Sequence, residues 1–235
     1  MTKSHLVKLV PKFEIRSKAK IIQFLNEQPV GRIGSIDERG YPQIIPMNFV
    51  FVEDKGRNGN LENDVDKTYL GTVYMHSHPF GEKIENVKRN SKVGFEVDMH
   101  ICFLPSYYFH PADASQADTL YISVVIKGNA FIVTDLEEKA KALNALMIKY
   151  QKEGGYAPLT SNMATVREVA VLKVVPDEMR GKYKIGQHWQ PKYRIKMATK
   201  IIQREDSAVA REILKVMGIQ IMRDGNLLIL NEPLM

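Results

Sequence analysis

The run Tyr74-Met75-His76-Ser77-His78-Pro79-Phe80-Gly81-Glu82-Lys83-Ile84-Glu85-Asn86 concentrates the side chains of this chain best suited to chemistry. Strand-forming residues lead to His76 and Ser77, Pro79 interrupts them, and a helix beginning near Gly81 would present backbone N–H groups that have no intrahelical partner. Such amides carry the positive end of the helix dipole, and glycine lets an anion approach closely. The Ser77 hydroxyl and the Lys83 ammonium add a donor and a point charge. The chemistry implied is anion binding, of phosphate in particular. Strand-turn-helix units with a lysine in the first turn are abundant, however, and most bind nothing, so spacing alone does not separate a phosphate cradle from an ordinary connection.

His76 carries an imidazole able to donate a proton or orient a substrate near neutral pH, although a structural histidine explains it almost as well. His78 shares its side of a regular strand, so the two could bind a metal together with His110 or His188. No carboxylate-rich or cysteine-containing spacing accompanies the pair, and no metal site is expected. The single cysteine, Cys102, excludes an internal disulfide and a thiolate zinc cluster, and it agrees with a reducing compartment. Trp189 and His188, followed by Lys192, Tyr193 and Arg194, read as a basic aromatic surface patch. There is no Gly-x-Ser-x-Gly, His-Glu-x-x-His or Gly-x-x-x-x-Gly-Lys-Ser/Thr sequence, which leaves hydrolase, zincin and nucleotide triphosphatase readings without support.

The elements that must position these residues are mostly strands. Ser17 to Gln28 predicts a helix capped by Ser17, with Ala19, Ile21, Ile22 and Leu25 on one face. A hairpin follows from Val30–Ile36 and Pro42–Val52, turning at Asp37-Glu38-Arg39-Gly40; Pro46 marks its second strand as an edge, a bulge or a place of close approach. Glu53–Lys67 is polar and reads as a long exposed connection. Strand chemistry returns at Thr68–Met75 and Lys92–Met99. Thr119–Val133 reads as a strand pair bent near Gly128 and Asn129, Asp135 opens a helix running to Tyr150 and closed by Gly154 and Gly155, and Glu168–Val175 is a further strand. In the tail, Gln187–Thr199 shows no period, Glu205–Met217 is an amphipathic helix, and Ile219–Met222 with Leu227–Leu230 form a hairpin about Asp224-Gly225. Six sequential strands with two or three flanking helices predict a mainly β, α+β protein built on an antiparallel barrel or sheet.

Composition agrees. The chain has 235 residues, 44% apolar and 26% charged, the profile of one large domain or one domain with an appendage. The division expected is 1–186 for the barrel and 187–235 for a C-terminal extension. The net charge of +6 favours anionic partners, yet no zinc finger, basic arm or RNP motif is present, so a phosphate-bearing small molecule serves the charge as well as nucleic acid does. Apolar runs fall short of a membrane span, and the N-terminus lacks the apolar region of a signal peptide, so a cytoplasmic protein is expected.

Taken in order, YPQIIPMNFVF, VYMHSHPFGEKIENVKRNSKVGFEVD, YISVVIKGNAFIVTD and the leucine-rich helix after them resemble the FMN-binding split-barrel superfamily. Within it they resemble the nitroimidazole-resistance branch, related to pyridoxamine 5'-phosphate oxidase. The resemblance spans roughly Ser17 to Lys182. It implies FMN in a groove between the two subunits of a homodimer, with Pro46, Met47 and Asn48 at the edge of the isoalloxazine ring. Ser77 and Lys83 would grip the phosphate near Gly81, with Asn86 close by, and Tyr74 and His76 would line the ring or ribityl chain. Tyr121, Ser123 and Val124 would border flavin and dimer contact, and His76 would be the catalytic residue. The implied activity is an oxidoreductase passing electrons through flavin to a small acceptor such as a nitroaromatic. The arginine-x-histidine pattern of the oxidases themselves does not follow Trp189, which puts that activity in doubt. Split barrels also carry flavin or haem without turnover, in which case His76, His78 or His110 would be an axial ligand. A basic nucleic-acid-binding regulator using the C-terminal segment is the further alternative.

Overall fold

The computed structural model describes residues 10–54 and 71–230. The polar connection read over Glu53–Lys67 lies, from residue 55 onward, outside the described residues, as does the start of the strand read from Thr68. In chain order the elements are β1 (Glu14–Ile15), α1 (Lys18–Glu27), β2 (Val30–Ile36), β3 (Pro42–Asn48), β4 (Val50–Glu53), β5 (Gly71–Ser77), α2 (Glu82–Arg89), β6 (Lys92–Leu104) and β7 (Asp118–Ile132). They continue with α3 (Leu136–Tyr150), α4 (Ala164–Glu168), β8 (Ala170–Lys184), α5 (Pro191–Arg204), α6 (Ser207–Val216), β9 (Ile219–Ile221) and β10 (Leu227–Ile229). One sheet runs β3-β2-β6-β7-β8-β5-β4 with β1 on β8, and β9 pairs with β10 separately. The mainly antiparallel split-barrel class expected from sequence is the fold observed, but among the described residues hydrogen bonds do not close the sheet into a barrel.

The chain packs as two compact units, one of 17–97 and 124–180, the other of 10–16, 98–123 and 181–230 among the described residues. Strands β6, β7 and β8 each contribute to both. In the first unit, β2 and β3 form the expected hairpin, with Asp37 accepting hydrogen bonds from the amides of Arg39 and Tyr41 at 2.9 and 2.7 Å. Those two bonds hold the Asp37 carboxyl below the usual carboxylate range, the Tyr41 amide being the larger cause. Pro46 sits on β3, which pairs only with β2, so the missing N–H is tolerated at an edge.

The strand read as continuous from Pro42 to Val52 is broken at Phe49. Its first half pairs with β2 and its second with β5, so the two ends of the strand order are consecutive pieces of one chain run. A residue at such a switch loses its ladder partners while its side chain remains in the core, and Phe49 is fully buried, 5.1 Å from the Phe95 ring and edge-on to it. The Tyr150 hydroxyl supplies the missing partner. It accepts the Phe49 N–H at 2.8 Å and lies 2.8 Å from the Phe49 carbonyl and 2.6 Å from the Pro29 carbonyl, one of which takes its proton. Beside it the Lys149 ammonium donates to the Leu25 carbonyl at 3.0 Å and stands 3.8 Å from the centre of the Phe49 ring. Burial, and secondarily the charge of Lys152, push its pKa down to about 8.

Three further sequence expectations are corrected. Thr119–Val133 is one strand rather than a bent pair: a Cβ at Gly128 would stand 2.2 Å from the Val175 carbonyl, so this glycine serves close strand approach and not a turn. Glu168 ends helix α4 instead of opening a strand. Gln187–Thr199 is largely helical, because Met197, Ala198 and Ile201 bury one face of α5 against Ala210, Ile213 and Leu214 of α6. The basic aromatic patch read there does not face solvent as a whole. Arg194 is buried and donates to the Met217 carbonyl, while Trp189 and Tyr193 pack ring to ring at 5.5 Å. Among the described residues no helix is long and apolar enough to cross a membrane.

Two outcomes are expected. Tyr150→Phe leaves the Phe49 amide without a partner and should destabilise the protein by about 1–3 kcal/mol in urea unfolding. Lys149 binds its proton more weakly folded than unfolded, so the unfolded state holds more protons between pH 8 and the ordinary lysine value of 10.5. Stability from this group therefore rises with pH across that window. Lys149→Met should lose that rise, so that the variant gains on the wild type at pH 7 and gives the gain back by pH 10.

Candidate cofactor site

Strand β5 alternates between core and surface. Met75 is fully buried, so its neighbours Tyr74 and His76 point the other way, and His76 is exposed at its pairing with Val171 of β8. The turn after Ser77 holds itself together: the Ser77 hydroxyl donates to the His78 carbonyl at 3.1 Å, and the Phe80 amide donates to His78 Nδ1 at 3.3 Å. His76, Ser77, His78 and Pro79 line an open depression of about 480 Å³ with Thr165, Glu168 and Val169. Thr165 and Glu168 were not candidates from sequence, because no pattern links them to β5; only the pairing of β8 with β5 brings α4 there.

Helix α2 begins as expected. Gly81 occupies the N-cap with φ 131°, a conformation open to glycine, and no side chain caps the helix. The bonds that start the helix run from Ile84 and Glu85 to the Gly81 carbonyl, so the amides of Glu82 and Lys83 lie outside the intrahelical ladder. Glu82 and Glu85 sit in the first turn, where they complement the dipole, and Glu85 accepts from Lys88 at 2.8 Å.

Lys83 is half-buried, and its ammonium donates to the Met47 thioether at 3.3 Å. Sulfur of this kind is a weak acceptor. Among the described residues no carboxylate pairs with Lys83, and burial alone pushes its pKa down. A partly desolvated ammonium beside uncapped helix amides is a donor set suited to a phosphate. This contact also joins β3 to α2. Pro46 and Asn48 flank Met47 on β3 and are exposed.

Two other expected residues are engaged within the protein. Asn86 is buried: its amide nitrogen donates to Ser35 Oγ and Gln43 Oε1, both at 3.2 Å, and its oxygen accepts from Arg89 at 2.7 Å. This network ties α2 to the β2–β3 hairpin. The Tyr74 hydroxyl donates to Glu138 at 2.8 Å, and Lys173 pairs with the same carboxylate at 2.7 Å. Burial first, and then Glu138, push the Tyr74 phenol well above its ordinary range. Glu138 and Lys173 were not legible as partners because α3 and β8 meet β5 only in the fold. Tyr121 and Ser123 lie half-buried on β7, and Val124 is fully buried in the core of the first unit. Among the described residues no group of three histidine, cysteine or acidic side chains converges as a metal site.

Solved structures similar to this chain include a candidate 5-nitroimidazole antibiotic resistance protein from Bacteroides thetaiotaomicron, 28% identical, covering 72% of this chain and 85% of that one with a TM-score of 0.54. The flavocytochrome Anf3 from Azotobacter vinelandii is 17% identical over 78% of this chain and 74% of that one, with a TM-score of 0.57. An FAD- and haem-binding protein from Mycobacterium smegmatis is 12% identical over 73% of each chain, with a TM-score of 0.54. At these identities the last two share the fold alone. No curated protein matches the chain by sequence. The family model for pyridoxamine 5'-phosphate oxidase matches residues 17–183, the span that holds β2 to β8 and the Lys83 site, and the chain belongs to that family.

Proposed function

We propose that this protein is a flavoprotein that binds FMN at the interface of a homodimer and passes electrons through it to a small acceptor such as a nitroaromatic. The observation that carries the reading is the Lys83 ammonium, half-buried at the uncapped start of α2, with a thioether as its partner and no carboxylate among the described residues. A phosphate dianion there would receive the ammonium and the amides of Glu82 and Lys83. The Ser77 hydroxyl, now turned to the His78 carbonyl, is within the same turn and would add a donor.

Bound FMN supplies the electron chemistry, accepting and releasing one or two electrons. The chain's own residues hold and orient it. Met47, with Pro46 and Asn48 beside it on the edge strand, would meet the ring edge. Tyr74, its hydroxyl fixed by Glu138, would present an immobilised aromatic ring. Asn86 would act through position, since its bonds to Ser35, Gln43 and Arg89 fix α2 against the hairpin that carries Met47. His76 stands at the wall of the depression it shares with Thr165 and Glu168, where it would deliver a proton to the acceptor or orient it. Proteins that share the fold include a flavocytochrome and an FAD- and haem-binding protein, in keeping with flavin, and the similar 5-nitroimidazole resistance protein is in keeping with a nitroaromatic acceptor.

Lys83→Ala should weaken FMN binding by about 1.5–3 kcal/mol, roughly ten- to a hundredfold, in a fluorescence titration of FMN-depleted protein. Unchanged affinity would show that the phosphate lies elsewhere. His76→Ala should keep the bound-flavin spectrum and slow nitroaromatic reduction by about 10²–10⁴-fold; equal turnover would remove His76 from the reaction.

A further inference from the structure

Outside the Lys83 site, the second unit gathers positive charge around one aromatic ring. The ammonium groups of Lys12, Lys182 and Lys184 lie 4.9, 5.8 and 5.9 Å from the centre of the Phe13 ring. Lys182 also stands 5.2 Å from the centre of the Tyr121 ring, so its charge sits near two aromatic faces. The lysines come from three places in the chain: the turn before β1 and two outward positions at the end of β8, with Tyr121 and Asp118 supplied by β7. All three ammonium groups thus lie within 6 Å of the centre of one ring.

The compensation inside the protein is partial. Lys184 pairs with Asp118. Glu14 stands opposite Lys182 across the β1–β8 pairing but forms no ion pair with it, and among the described residues Lys12 and Lys182 have no carboxylate partner. Cation–π contact with Phe13 and Tyr121 stabilises these ammonium groups without neutralising them. His188, edge-on to Phe13 at 5.1 Å, registers the same field: burial lowers its pKa, and Lys12 and Lys184 lower it further against the opposing effect of Asp118.

The cluster is also built to stay in place. Gln187 donates to the Lys12 carbonyl at 2.7 Å and the Tyr183 carbonyl at 3.1 Å and accepts from the Ile185 amide at 3.0 Å, tying the turn after β8 to the segment carrying Lys12 and Phe13. Gly186 makes that turn possible with φ 75°, and a Cβ there would stand 2.5 Å from the Trp189 ring. Like charges gathered about one aromatic ring, on segments tied by a fixed turn, offer several ammonium donors to an anion. A carboxylate offers two oxygens and one charge. A phosphate monoester offers three terminal oxygens and up to two charges, which matches several ammonium donors better.

We propose that Lys12, Lys182 and Lys184, gathered about Phe13 and Tyr121, form a second anion site that binds a phosphate monoester. This site is separate from Lys83 and does not rest on the flavin reading.

The test is calorimetric titration of the full-length protein, as purified, with adenosine 5'-monophosphate, inorganic phosphate and adenosine in a phosphate-free, low-salt buffer. The nucleotide should bind, inorganic phosphate should compete with it, and adenosine should not bind. Lys12→Gln and Lys182→Gln should each weaken nucleotide binding at least about tenfold, and Lys182→Arg should restore most of it. Lys12 is exposed, so its replacement is not expected to disturb folding, and an unchanged melting temperature would check this. Equal affinity in the glutamine variants, adenosine binding as well as its phosphate, or no binding of either phosphate compound would overturn the proposal. Lys83→Ala should leave nucleotide binding at this cluster unchanged, and a loss of nucleotide affinity in that variant would overturn the independence of the two sites.

Discussion

The first unit depends on a backbone break that must not be left unsatisfied. One run of chain serves both ends of the strand order, pairing with β2 before Phe49 and with β5 after it. A buried amide at such a break costs about as much as a lost hydrogen bond, and water has no access to repair it. The Tyr150 hydroxyl at the end of α3 makes the repair. The same helix end brings Lys149 over the Phe49 ring, so a charge stays in a place that penalises it in return for contact with a carbonyl and an aromatic face.

From that break follows the position of the candidate site. Because β3 ends at Asn48, Met47 is held at an edge where the Lys83 ammonium can reach its sulfur. Because β4 continues into pairing with β5, the strand that carries His76 and Ser77 is fixed in register against β8, which also places α4 beside them. The buried Asn86 network then locks α2 to the hairpin. The result, among the described residues, is a helix start without a side-chain cap and a lysine without a carboxylate partner. On the proposed reading a flavin phosphate completes both.

Much of this was legible in sequence, for identifiable reasons. The α2 start announced itself through Pro79 and Gly81, and Asp37 to Gly40 through turn chemistry. Pro46 signalled an edge, a bulge or a close approach, and the structure puts it on an edge strand. What failed were signals that tertiary contact overrides. Gly128 looked like a bend and proved to be a place of close strand approach, and Glu168 looked like a strand residue and ends a helix. The helix from Pro191 hid because Arg194, a residue expected at the surface, is buried against the Met217 carbonyl. Tyr150 was visible only as an apolar position on α3; nothing local reveals that its hydroxyl meets a backbone break a hundred residues earlier. The family resemblance implies Tyr74 and Asn86 at the cofactor, and each is bonded within the protein. Their partners Glu138, Ser35 and Gln43 lie far away in the chain, beyond the reach of any short motif.

The central claim is that the half-buried Lys83 ammonium exists to hold a flavin phosphate. The most direct measurement is to denature freshly purified protein and identify, by absorption and mass, the small molecule it releases. FMN in an amount approaching one per chain is the result the account requires. A preparation that releases no flavin, takes up none when FMN is added, or shows only the Soret absorption of haem would contradict it.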